Sequence, residues 1–184
     1  MVSQQLLKKL ICAGISVLCL SGQTRASDFS LHDWQPCSTA LEDANGQEPQ
    51  EDAKWSLVLS PYTHHWRTSD EHKHVRLGAL ERNVRGGRFC GLALFNNSFG
   101  QPSAYVYVGK QWNGWIGDPK WFVKVSAGII HGYKDDHKDA LTYNHSGFAP
   151  VAIPAVGYDF TSKDSANVTL LGTAGVLFAY GHKF

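Results

Sequence analysis

Along residues 119–132 the side chains repeat with a period of two: Trp121, Val123, Val125, Ala127 and Ile129 fall on one wholly apolar face, and Phe122, Lys124, Ser126, Gly128 and Ile130 on the other. Comparable runs cover residues 55–64, 74–83, 88–96, 103–112, 149–160, 167–172 and 175–184, which with 119–132 makes eight. Most approach the roughly ten residues that a tilted strand needs to cross a bilayer. Turn signals separate them at Arg85-Gly86-Gly87, Asn113-Gly114, Gly117-Asp118-Pro119 and residues 162–167. No stretch after residue 26 approaches the ~18 continuous apolar residues of a membrane-spanning helix, so strands are the elements to build with. The last run places Val176, Phe178, Tyr180, His182 and Phe184 on one face and ends on an aromatic residue, which is similar to the closing strand of outer-membrane barrels. Trp55, Trp112, Trp115, Trp121 and Tyr180 fall near predicted strand ends, where interfacial girdles sit. The expected fold is all-β: an eight-stranded antiparallel transmembrane β-barrel preceded by a short irregular or partly helical segment. A soluble sandwich or lipocalin-like barrel shares the alternation, and the aromatic placement favours the membrane.

The first residues point to export. Lys8 and Lys9 precede an apolar run from Leu10 to Leu20, and Thr24-Arg25-Ala26 supplies small residues where a signal peptidase reads. The run is too short to anchor the chain as a helix. The expected organisation is a cleaved signal at 1–26, a periplasmic segment at 27–54, and the barrel at 55–184, a monomer in the outer membrane of a Gram-negative bacterium. Cleavage would remove three basic residues and no acidic one, leaving acidic residues in slight excess, so nucleic acid is not an expected partner. Of the cysteines remaining, Cys90 lies in an apolar strand pattern and reads as a small buried hydrophobe, while an oxidising compartment also permits a bond to Cys37.

With both ends of the barrel in the periplasm, the connections at His64–Lys73, Asn96–Gln101, Tyr133–Phe148 and Thr173-Ala174 face outward. They gather most side chains capable of chemistry on one side. A barrel of eight strands is filled by side chains or holds one small ligand. Leu177, Ala179 and Gly181 on the inner face of the last strand, and Tyr105, Tyr107 and Gly109 together on the fourth, suit an apolar slot open at the outer end rather than a polar pore.

Three segments resemble the lipid A palmitoyltransferases of Gram-negative outer membranes. Ser60-Pro61-Tyr62-Thr63-His64-His65-Trp66 is similar to that family's first strand, where a proline precedes an essential histidine at the rim. Phe95-Asn96-Asn97-Ser98-Phe99 is similar to its Phe-Lys-Asp-Ser-Trp segment, and residues 150–158 to its proline-containing sixth strand. The resemblance spans roughly residues 55 to 184 and is thin between the motifs. It implies an enzyme that moves a palmitoyl chain from a phospholipid donor to a lipid A acceptor, without cofactor or metal. It implies catalytic roles for His64 or His65, Asn97 and Ser98, and substrate contacts at Gly109, Pro61, Pro154, Tyr105 and Tyr107. Gly109 stands at the offset from Ser98 where the family places the glycine that floors its acyl pocket, and Pro61, Pro150 and Pro154 stand where weakened strand pairs admit lipid sideways.

The chemistry asks for the same side chains. Acyl transfer needs a base for the acceptor hydroxyl and donors for the tetrahedral oxyanion. Histidine suits the first task because it titrates near neutrality. Alternation turns one of His64 and His65 inward and the other outward, and the register leaves open which. Ser98 suits either nucleophile or oxyanion donor, although Asn-Asn-Ser-Phe-Gly is equally a good turn sequence. Asn97 departs from the family: an amide orients or polarises but is no base, so Asp70, Asp135 or Asp136 would have to supply a charge if one is needed. Two other readings remain. One is a lipid A deacylase using His145 and Ser146 of Tyr143-Asn144-His145-Ser146; the other is a non-catalytic barrel serving adhesion or envelope integrity. His72, His74 and His137 lack the spacing of a defined metal site.

Overall fold

The computed structural model describes Cys37, residues 54–67 and residues 72–184, all within the unit Pro36–Phe184. The proposed signal, the helix considered between 28 and 50, and Asp70 lie outside the described residues. Eight strands follow in order: β1 Lys54–His65, β2 Leu77–Asn83, β3 Arg88–Asn96, β4 Pro102–Asn113, β5 Trp121–His131, β6 Phe148–Asp159, β7 Asp164–Leu170 and β8 Gly175–Lys183. Each pairs antiparallel with its neighbours and β8 returns to β1, so the sheet closes into a barrel. Connections after β1, β3, β5 and β7 share one end, the loop end, and those after β2, β4 and β6 share the other, the turn end. A 3-10 turn at Arg85–Gly87 makes the first turn-end connection, and a second at Asp135–Ala140 lies in the longest loop.

Alternation decides which side chains face the lumen. The wholly apolar face of β5 points outward, as do the exposed Leu57, Leu59, Leu92, Leu94, Val106, Val156 and Phe178. Ser56, Ala79, Glu81, Phe89, Ala93, Tyr105, Tyr107, Phe122, Ser126, Ala155, Leu177 and Ala179 are buried inside. Closure leaves no edge strand to cover. A wall whose outer face is apolar and whose strands close on themselves is what a hydrocarbon solvent requires.

Cys37 and Cys90 are disulfide-bonded, their Cα atoms 6.3 Å apart. This corrects the reading of Cys90 as a core hydrophobe. Its position in β3 turns it outward, on the face opposite Phe89 and Gly91, where it is bonded to Cys37.

Two stretches of wall lack a full ladder, both toward the loop end. β1 pairs with β2 only as far as Ser60↔Leu77, so Tyr62–His65 are backbone-paired to β8 alone. There Thr63 Oγ1 donates to the Val75 carbonyl at 3.1 Å, and His74 Nδ1 lies 3.2 Å from the Thr63 carbonyl. Side chains stand in for the ladder. β6 pairs with β7 only from Ala155 to Asp159, leaving Phe148–Pro154 paired to β5 alone. Pro61 and Pro154 mark the two stops, and proline has no amide hydrogen to extend a ladder.

Candidate active site at the loop end of the barrel

The register shows which of the two histidines faces inward. A bulge between Leu59 and Tyr62 puts Thr63 and His65 on the inner face and Tyr62 and His64 on the outer. His64 packs edge-on against Trp66, its ring centroid 5.8 Å away, on the outside. His65 Nε2 lies 3.3 Å from the Lys73 carbonyl, which can only accept, so Nε2 carries the hydrogen and the lone pair sits on Nδ1. That Nδ1 is buried and has no partner. The Lys73 amide donates to the Ser98 carbonyl at 2.7 Å, so a single residue ties the His65 ring to the Ser98 loop. The Ser98 hydroxyl makes no hydrogen bond among the described residues.

Asn97 has its hydrogen-bonding capacity spent. It is fully buried, its Oδ1 accepts from the amides of Phe99 and Gln101 at 3.0 and 2.9 Å, and its Nδ2 donates to Gln101 Oε1 and the Gly132 carbonyl at 3.0 and 3.3 Å. Placed there, the amide shapes the loop that presents Ser98 and links it to the end of β5. A second layer closes over it. His65 and His72 rings lie 4.8 Å apart, His72 meets Phe99 at 5.8 Å, and His137 stacks on Phe99 at 3.8 Å. Tyr133 completes the cluster, and burial pushes its hydroxyl up to about 12, keeping it neutral. This ring cluster spans three connections far apart in sequence, and apart from the position of the loops nothing in the sequence marked it. No group of three or more metal-binding side chains occurs among the described residues.

Below the rim lies a cavity of about 100 Å³, bordered above by Leu77, Ile153, Leu171 and Leu177 and below by Tyr107, Glu81 and Lys124. Tyr105 and Tyr107 both line it, their rings stacked at 4.5 Å. Its floor is polar: Lys124 Nζ reaches Glu81 at 2.6 Å, Tyr107 donates to Glu81 at 2.9 Å, and Lys124 sits 4.2 Å over the Phe89 ring. The slot is therefore apolar only above this network, where the sequence suggested an apolar lumen over most of its length. Gly109 does not border it. A Cβ at Gly109 would strike the Phe89 ring and the Val125 carbonyl oxygen, so the glycine makes room for Phe89 beneath the floor. Pro61 and Pro154 are exposed on the outer wall at the two ladder stops.

The alternative histidine–serine pair is placed differently. His145 and Phe148 exchange backbone hydrogen bonds at 2.8 and 2.9 Å around a tight turn in which Ser146 takes φ 52°, and both His145 and Ser146 are exposed. No hydrogen bond joins them. Asp135 and Asp136 are likewise exposed, on the 3-10 turn.

The chain was compared with known proteins. Among solved structures it is similar to one described as "De novo design of transmembrane beta-barrels", with a TM-score of 0.54 and 14% identity over 74% of this chain and 99% of that one. The fold is that of a transmembrane β-barrel. No family model matches the sequence. No curated protein matches it either.

Proposed function

We propose that this barrel sits in a bacterial outer membrane and transfers an acyl chain, palmitoyl in the first instance, from a phospholipid to lipid A in the outer leaflet. The observation that carries the reading is His65: an inward-facing histidine at the rim, two residues along β1 from the level of Leu177 at the top of the cavity, with an unpartnered ring nitrogen and tied through Lys73 to the Ser98 loop. In that arrangement His65 Nδ1 takes the proton of the acceptor hydroxyl as the oxygen attacks the ester carbonyl. The Ser98 hydroxyl faces the developing oxyanion as donor. Collapse of the tetrahedral intermediate expels the donor glycerol oxygen, which takes the proton back from His65, and the transferred chain leaves as the new ester. The ladder stop at Pro154 gives hydrocarbon chains a lateral path past the wall, whereas the stretch beyond Pro61 is bridged by the Thr63 and His74 side chains. A water-filled pore would need a polar lumen throughout, and this one is bordered above by Leu77, Ile153, Leu171 and Leu177, with Thr169 and Asn167 bonded to each other on one side.

Mass spectrometry of lipid A from cells with and without the protein tests the proposal. The expected result is a gain of one palmitoyl group. Loss of a hydroxyacyl group instead would mean a deacylase, and an unchanged lipid A under both ordinary growth and membrane stress would remove the enzymatic reading.

A further inference from the structure

We propose that the outer wall over β7 carries a binding site for a glycerophospholipid of the turn-end leaflet, with one acyl chain in a trough along β7 and Lys120 holding the phosphate. This goes beyond the transfer activity and rests only on the barrel spanning a bilayer.

The trough follows from register. Ala166 pairs with Tyr158 on one side and Tyr180 on the other, and Val168 with Val156 and Phe178, so the outward face of β7 is a low floor between higher walls. Two strand spacings separate the walls by roughly 10 Å, room for one hydrocarbon chain between rings. Trp121 extends the first wall, its ring 5.2 Å from Tyr158. The resulting groove is about 390 Å³, within the range of ligand clefts of about 300–1,000 Å³. It begins at the turn end and runs to mid-barrel, the direction an acyl chain takes from a headgroup at that interface.

The charge at its mouth fits a phosphate. Lys120 Nζ lies 6.0 Å from the Tyr158 ring centroid, at the edge of cation–π range, and has no carboxylate partner among the described residues. Asp118 caps the Lys120 backbone amide at 2.9 Å. Asp164, the carboxylate beside the other wall, is already held by Tyr180, His182 and Thr161 at 2.5, 2.7 and 2.8 Å. Lys120, on the Tyr158 lip, is thus available to an anionic headgroup.

Native mass spectrometry of the protein folded in mild detergent, titrated with phosphatidylglycerol, phosphatidylethanolamine or the matching diacylglycerol, tests the site without any acyl acceptor. Both phospholipids should bind the native barrel more tightly than diacylglycerol. Lys120→Gln should weaken both about fivefold, the pull of one lysine on a headgroup, and leave diacylglycerol unchanged. Ala166→Trp should fill the trough and lower binding of all three, whereas Val106→Trp on another part of the wall should not. Heat-modifiable mobility shows that each variant is folded. Diacylglycerol binding as well as the phospholipids, or a folded Ala166→Trp variant that keeps its lipid, overturns the proposal.

Discussion

At the scale of single residues, Asn97 and Ser98 are neighbours with opposite situations. Asn97 is buried with every amide hydrogen bond made inside the protein, while the Ser98 hydroxyl has no partner among the described residues. Asn97→Ala strands the Phe99 and Gln101 amides, and each buried donor left unpaired costs about 1–3 kcal/mol. Its expected phenotype is a loosened loop: lower transfer accompanied by new protease cleavage between residues 96 and 101. Ser98→Ala should lower transfer on the order of a hundredfold with the loop as protease-resistant as in the native protein. Equal cleavage in the two variants would mean that Ser98 is structural as well. The aspartate that the resembling family carries here would set a carboxylate against the Gly132 carbonyl, so Asn97→Asp is expected to loosen the loop rather than raise activity. The sequence marked the position of Asn97 but not its role. Gly132 is 35 residues away and Gln101 sits in the same turn, and neither advertises an amide partner.

At the scale of elements, the period-two pattern places all eight strands, because a wall with lipid on one side and packed side chains on the other must alternate. The departures have local causes. β2 begins at Leu77 rather than 74, since the Thr63 and Asn96 side chains take the backbone groups of residues 74–76. β7 begins at Asp164 rather than 167, because the Thr161 hydroxyl accepts from the Lys163 and Asp164 amides and closes the turn within residues 161–164. Gly109 belongs to the same lesson. Its offset suggested the slot floor, but which ring fills the space beside a glycine is decided across strands, and here it is Phe89. The depth of the slot is set instead by elements β2, β3, β4 and β5 through Ala79, Glu81, Ala93, Tyr107 and Lys124. Ala93→Met should therefore shorten the chain transferred, as each methylene denied burial forfeits ~0.8 kcal/mol of acyl binding. The mass of the acylated product measures this. An active Ala93→Met variant with unchanged chain selectivity would place the chain outside this cavity.

For the whole molecule, a single buried network divides the lumen: a cavity bordered by aliphatic side chains above, polar and filled below. Lys124 and Glu81 are nearly inaccessible, so removing one partner leaves a charge buried alone, which costs about 3–5 kcal/mol. Glu81→Gln and Lys124→Met should each lower the urea midpoint of the barrel in detergent. The double variant should lose less than the sum of the two, because the pair's desolvation is removed together; strict additivity would show that the two charges do not depend on each other. Above that floor, at the rim, the Ser98 loop is tied through Lys73 to the inward His65 ring. The direct measurement is transfer by the purified barrel in micelles containing phospholipid and lipid A, comparing His65→Ala with His64→Ala. The inward histidine is expected to be essential, with His65→Ala down at least about a hundredfold and His64→Ala retaining most activity, both still heat-modifiable. Loss with His64→Ala and full transfer with His65→Ala would contradict the site.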